Sequence, residues 1–245
     1  MKKRIIALLI LSLMLTLLPT KANASEITRI WIGDSRTVGL EQINTNPVDK
    51  FIAKGGMSYS WFSKEAIPEL RNIINENSIV FINMGVNDCA NEAVGGGTSN
   101  VEKYIETINN LIKEYPRTRF IYISVNPVDG DYPSDYSETG YIDKDKLNDS
   151  INKFNRNIKE NCNIEFIDTN TFLKQEGFST IDGIHYNTET TETIYNYCLK
   201  EIYKVEILTN NNKKEEEIKD KDKEKQFKKL QFIKERKIFV RFKKI

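Results

Sequence analysis

The chain has 245 residues, with 36 Lys or Arg against 35 Asp or Glu, a single His and three Cys. Cys89, Cys162 and Cys198 show no metal-ligand spacing, which excludes a Cys/His zinc module. Charge is unevenly placed: 4 basic residues fall in the first 24 positions and 14 basic with 7 acidic in positions 210–245, leaving 18 basic against 28 acidic between them. An acidic domain of this kind argues against nucleic acid as a partner.

Met1-Lys2-Lys3-Arg4 precedes an apolar run from Ile5 to Leu18 and then Ala22-Asn23-Ala24. A basic start, a short apolar core and an Ala-x-Ala end predict a signal peptide over residues 1–24, cleaved after Ala24. The run is shorter than the ~20 residues of a spanning helix, with an uncleaved anchor as the alternative. The expected location is therefore secreted, extracellular or attached to the cell envelope. Residues 25–209 suit one domain large enough to bury a core.

Within it, Ile27 to Ile32 reads as an apolar strand ending in Gly33-Asp34-Ser35, followed by a short helix from Thr37 to Ile43. A second strand starts at Phe51 and ends in Gly55-Gly56. Helical spacing covers Trp61 to Asn75, interrupted by Pro68. Ile79 to Met84 is a buried strand leading into Gly85-Val86-Asn87-Asp88, and Asn91 to Asn100 a Gly- and Asn-rich loop. A helix from Val101 to Tyr115 and a strand from Arg119 to Val125 follow. Val128 to Ile142 reads as a long acidic, tyrosine-rich loop. A helix from Asp145 to Asn161, a strand from Ile164 to Asp168, the Asp182-Gly183-Ile184-His185 segment and a closing helix from Thr188 to Val205 complete the domain. Alternating strands and helices imply a parallel sheet covered on both faces.

Past Thr209, Asn210 to Lys225 is a low-complexity charged run, read as a solvated, disordered linker. Gln226 to Ile245 mixes cations with Phe227, Leu230, Phe232 and Phe239. Such a segment suits weak attachment to anionic membrane or wall polymer. The alternative is a tail with no partner.

A serine exposed at the carboxyl edge of an α/β sheet is placed for chemistry, but it needs a base. His185, the single histidine, is the one imidazole available to Ser35. Asp182 lies three residues earlier, so one turn of chain can bring its carboxylate to the other ring nitrogen and fix the tautomer. Asp34 and Asp88 are read as turn-stabilising residues.

In this order, the Gly-Asp-Ser, Gly, Gly-x-Asn-Asp and Asp-x-x-His segments resemble the four blocks of the SGNH/GDSL hydrolases, over roughly Ile27 to Tyr203. The resemblance implies a three-layer α/β/α, flavodoxin-like fold and a Ser35, Asp182, His185 triad. It implies oxyanion donors from the Ser35 N–H, the Gly56 N–H (with Gly55 as the alternative) and the Asn87 side-chain amide, with no metal and no cofactor. Arg36 stands where the GDSL name has Leu, either to attract an anionic substrate or to pair with an acid. The expected activity is a secreted serine esterase acting on short acyl esters, O-acetyl above all, of an acylated glycan. Trp31, Tyr59, Trp61, Tyr132, Tyr136 and Tyr186 are candidate sugar-stacking aromatics. A lipase or thioesterase, or a silent glycan-binding relative, is the alternative.

Overall fold

The computed structural model describes residues 27–135 and 137–204. Residues 1–26 (which include the segment read as a signal peptide), Tyr136 and residues 205–245 lie outside the described residues. In chain order the elements are β1 (Thr28–Gly33), α1 (Ser35–Ile43), β2 (Asp49–Ala53), α2 (Tyr59–Trp61), a π turn (Phe62–Ala66), α3 (Ile67–Ile73) and β3 (Ser78–Asn83). Then come α4 (Val86–Ala93), α5 (Val101–Glu114), β4 (Arg119–Ile123), β5 (Tyr132–Pro133), β6 (Tyr141–Ile142), α6 (Lys144–Asn161), β7 (Glu165–Ile167) and α7 (Thr169–Glu176). The described residues up to Thr188 form one compact unit, and a second begins at Glu189. Within the second, the helix over 188–204 buries Ile194, Cys198 and Ile202.

Five strands form one parallel sheet in the order β2-β1-β3-β4-β7, flanked by helices. This is the flavodoxin-like order, whose crevice opens where the winding reverses, between β1 and β3. The strands read as continuous apolar runs because both faces are covered. Ile30, Ile32, Val80, Ile82 and Tyr122 join Phe62, Leu70, Tyr104, Ile108 and Phe154 in one core cluster. On the other face Trp31 stacks on Phe81 at 4.0 Å. Register brings Gly33 level with Ala53 on one side and Asn83 on the other. Three strands thus end in step, and the turns after them share one edge.

At the opposite edge, Arg29 donates to both carboxylate oxygens of Asp49 at 2.6 and 3.0 Å. The Trp31 indole N–H adds a donor at 2.9 Å and the Asn44 amide another at 3.0 Å.

Three local expectations need correction. The helix expected over Trp61–Asn75 starts at Tyr59 and contains the π turn, closed by the Ile67 N–H on the Phe62 carbonyl. Pro68 has no N–H and crowds the carbonyl four residues before it, and a widened turn relieves that conflict. The expected loop from Val128 to Ile142 contains the antiparallel β5–β6 pair. Helix α7 went unread in the sequence; Asp168 caps it by accepting from the Thr171 N–H at 3.0 Å. The three cysteines are free, buried thiols, with no disulfide between Cys162 and Cys198.

Candidate active site

Ser35 is the first residue of α1, directly after the β1 strand end. Asp34 caps this helix: its carboxylate accepts from the Arg36 N–H at 3.1 Å, and its carbonyl accepts from Thr37 and Val38. Only 1% of Asp34 is exposed. Burial pushes its carboxyl up to about 6, against the opposing pull of the Arg36 charge and backbone N–H.

His185 approaches Ser35 from the far end of the unit. Its Nε2 lies 2.9 Å from Ser35 Oγ, and its Nδ1 lies 2.6 Å from Asp182 Oδ2. A carboxylate only accepts, so Nδ1–H donates to Asp182 and Nε2 is left to accept from the serine. Asp182 Oδ1 closes the turn by accepting the His185 and Ile184 N–H groups at 2.8 and 3.1 Å. Partial burial works against the Asp182 charge, but these hydrogen bonds outweigh it and hold the carboxyl below its ordinary range. The turn sits flat on Gly130: Gly183 has φ of 93°, and a Cβ there would come within 3.0 Å of the Gly130 carbonyl. Only glycine meets both conditions without strain.

Asn87 stands in the first turn of α4, after Gly85, whose φ is 121° and whose added Cβ would strike the Phe154 ring at 2.8 Å. Its side-chain amide donates to the Met57 carbonyl at 2.9 Å. An amide has two N–H groups, so one anchors Asn87 on the Gly56–Ser58 turn and the other remains to donate. The neighbouring Asp88 reinforces that union. Its carboxylate accepts from the Tyr59 N–H, the Tyr104 hydroxyl and the Asn100 amide at 3.0, 2.8 and 2.8 Å. Burial raises the Asp88 pKa, and these three donors oppose that rise. The structure thus brings Ser35, Gly56, Asn87, Asp182 and His185 to one sheet edge. Asp34 and Asp88 hold turns, as read from the sequence.

The family model for GDSL-like Lipase/Acylhydrolase matches residues 31–198. The chain belongs to this family. It is accordingly a serine ester hydrolase. No curated protein sequence matches it. A solved GDSL-like lipase from Bacteroides thetaiotaomicron is similar at 19% identity and a TM-score of 0.52, over 73% of this chain and 89% of its own. A lipolytic G-D-S-L family member from Veillonella parvula is similar at 18% identity and a TM-score of 0.52, over 71% of this chain and 97% of its own. These likenesses bear on the fold.

In this acylhydrolase a cleft of about 520 Å³ opens beside Gly56, Asn87 and Ile184. Ser58, Asn91, Asn100, Ser134 and Asp135 give it polar walls, and Val94 and Ile142 an apolar strip. Its described lining contains no Lys or Arg. Tyr132, on β5, lines it and meets the His185 ring edge-on at 6.0 Å. Of the other aromatics singled out in the sequence, Trp31 and Trp61 are core residues, and Tyr59 packs on Tyr104 at 5.0 Å. Tyr186 donates its hydroxyl to the Pro127 carbonyl at 2.5 Å, and Tyr136 lies outside the described residues. Their apolar spacing suited strand and helix cores equally well, and among the described candidates Tyr132 alone lines the cleft.

Arg36 spends its guanidinium hydrogen bonds on main-chain carbonyls, while its charge also acts on Asp34. Its guanidinium donates to the carbonyls of Asn126, Ile184 and Pro127 at 2.8, 3.1 and 3.5 Å, and lies 4.8 Å from the centre of the Tyr186 ring. No motif signals these contacts, because the acceptors are main-chain groups 90 and 148 positions away.

Proposed function

We propose that Ser35 is the nucleophile, His185 the general base and Asp182 the residue that orients it, in a secreted esterase that removes short acyl groups, O-acetyl above all, from a carbohydrate. The observation that carries this reading is the unbroken series Asp182–His185–Ser35, with contacts of 2.6 and 2.9 Å. His185 takes the Ser35 proton as Oγ attacks the ester carbonyl. The acyl group passes to Oγ, the sugar alcohol leaves with the proton from His185, and water then releases the acid by the same route. The oxyanion is met by the N–H of Ser35, the N–H of Gly56 and the second amide hydrogen of Asn87, with one such donor worth ~3–4 kcal/mol of barrier.

The cleft supports a neutral, hydroxylated leaving group. Amides and hydroxyls can hydrogen-bond a polyol, whereas no cation of its described lining is placed to bind a phosphate or other anionic head group. The apolar strip of Val94, Ile142 and Ile184 favours a second reading, a lipase or thioesterase, only to the extent that it holds a longer chain. Turnover of p-nitrophenyl esters of rising length by residues 25–209, with acetylated xylan and peptidoglycan alongside and Ser35→Ala as control, separates the two. The carbohydrate-esterase reading expects acetate to be the best ester and an acetylated polymer to be deacetylated. Rates that climb steadily with chain length, and no release of acetate from any polymer, would reject it.

Secretion follows from the amino-terminal segment read as a signal peptide. Attachment of the basic tail to anionic lipid or wall polymer rests on its mixed Lys, Arg and Phe composition. Truncation after Thr209 should weaken retention on anionic vesicles and wall material while leaving small-ester turnover unchanged. Equal retention of both forms would reject attachment.

A further inference from the structure

We propose that Arg36 is a positioning residue that locks the His185 loop against the Ser35 turn. It follows Ser35 directly, and its Nε donates to the carbonyl of Ile184, the residue directly before His185, at 3.1 Å. The clamp therefore runs parallel to the Ser35–His185 hydrogen bond, one residue removed on each side. Nη1 and Nη2 fasten the same guanidinium to Asn126 and Pro127, just past the end of β4, at 2.8 and 3.5 Å. The third wall is Tyr186, whose ring stacks under the guanidinium while its hydroxyl shares the Pro127 carbonyl. One planar fork thus joins the β1 turn, the end of β4 and the catalytic loop. Among the described residues the loop has no strand of its own: an isolated bridge joins its Thr180 to its Tyr186, and Asp129 tethers it by donating its N–H to the Gly183 carbonyl at 3.2 Å and accepting from the Thr180 N–H at 3.3 Å.

Guanidinium chemistry is required here. Three carbonyls approached along different directions need donors fixed in a plane, which arginine has and the single nitrogen of lysine has not. Leucine would leave the buried Asn126 without that charged donor and the ring of Tyr186 without its cation. A loosened loop lets the imidazole drift, and displacements of an ångström at a reacting group cost roughly 10²-fold in rate. The loss should fall on kcat, because Arg36 is not among the residues lining the cleft.

The proposal rests on the esterase reading for its kinetic test, but not for its spectroscopic one. The chain has one histidine, so tag-free protein gives one set of imidazole resonances, and the Nδ1–H held by Asp182 reports the loop directly. For Arg36→Leu we expect kcat on p-nitrophenyl acetate to fall by ~10-fold or more with KM within about twofold, and the Nδ1–H signal to broaden or vanish. Arg36→Lys should keep an intermediate kcat and a weakened signal, and it is the deciding variant if the leucine form does not fold. A folded variant with wild-type kcat and an unchanged imidazole spectrum overturns the proposal, even if its melting temperature drops. Loss of the Nδ1–H signal in a protein that hydrolyses no ester even as wild type would sink the esterase reading and leave the clamp standing.

Discussion

At the amino edge of the sheet, Asp49 accepts hydrogen bonds from Arg29, Trp31 and Asn44, and its side chain has no exposed surface. At the carboxyl edge, Asp182 keeps 39% of its side chain exposed and spends its oxygens on one loop and one imidazole. Both are carboxylates paired with a basic group, yet they do opposite work. The first is saturated, so it can only hold β2 to β1. The second leaves its partner with a nitrogen that accepts from Ser35, at the same sheet edge as an Asn87 amide whose second N–H has no acceptor among the described residues. A buried charge must be fully satisfied to be tolerated. A reacting group must keep a valence in reserve, and the sheet separates the two demands by placing them at opposite ends.

Substitutions at the two edges test that division. Ser35→Ala and His185→Ala should each lower turnover by several powers of ten with melting temperature and circular dichroism unchanged. Activity above ~10% of wild type in His185→Ala would mean that another group serves as base. At the other edge, Asp49→Ala strips the carboxylate from the buried Arg29 and should destabilise the domain by ~3–5 kcal/mol in urea. Its kcat, measured where the variant remains folded, should match wild type; a large kcat loss there would deny that the edges act separately.

Asn87→Ala should reduce kcat by ~10²–10³ with a smaller change in KM, because its amide serves charge present only in the transition state. A rise in KM at constant kcat would instead make Asn87 a substrate contact. Asp34 gives the smallest effect and the one tied to pH. Its folded-state pKa of about 6 lies above the ordinary 3.8. The folded protein therefore holds this proton more tightly, a contribution complete below pH ~4 and lost as pH rises through 6. Asp34→Asn, still able to cap α1, should gain stability relative to wild type between pH 4 and 7, by up to about 2–3 kcal/mol. A stability difference flat across that range would refute the shift.

The saturated edge and the reacting edge were not equally legible in the sequence. Ser35, Asn87, Asp182 and His185 could be found because their segments are short and ordered, and because one histidine leaves no choice of base. The parallel sheet followed from apolar runs alternating with helical spacing. What stayed hidden depends on long-range geometry. Arg36 was visible as a departure from the family pattern, but its acceptors are main-chain carbonyls, which no side-chain pattern encodes. Two-residue strands such as β5 and β6 are too short for alternation to register, so the cleft wall read as loop. Trp31 and Trp61 looked like sugar platforms because an aromatic's spacing does not say whether its strand or helix packs it into the core.

The Ser35–His185 hydrogen bond joins residues 150 positions apart. Closing so long a loop is entropically unfavourable until the intervening strands have paired. Under the proposed mechanism, a chain still being synthesised carries its serine for most of its length with no imidazole to activate it. If Ser35 and His185 act as proposed, hydrolytic power arrives only when the last block docks, and a fragment ending before residue 185 should turn over no ester. On that mechanism the order of the four blocks along the chain acts as a timer, arming the enzyme only once the His185 segment has been made and docked.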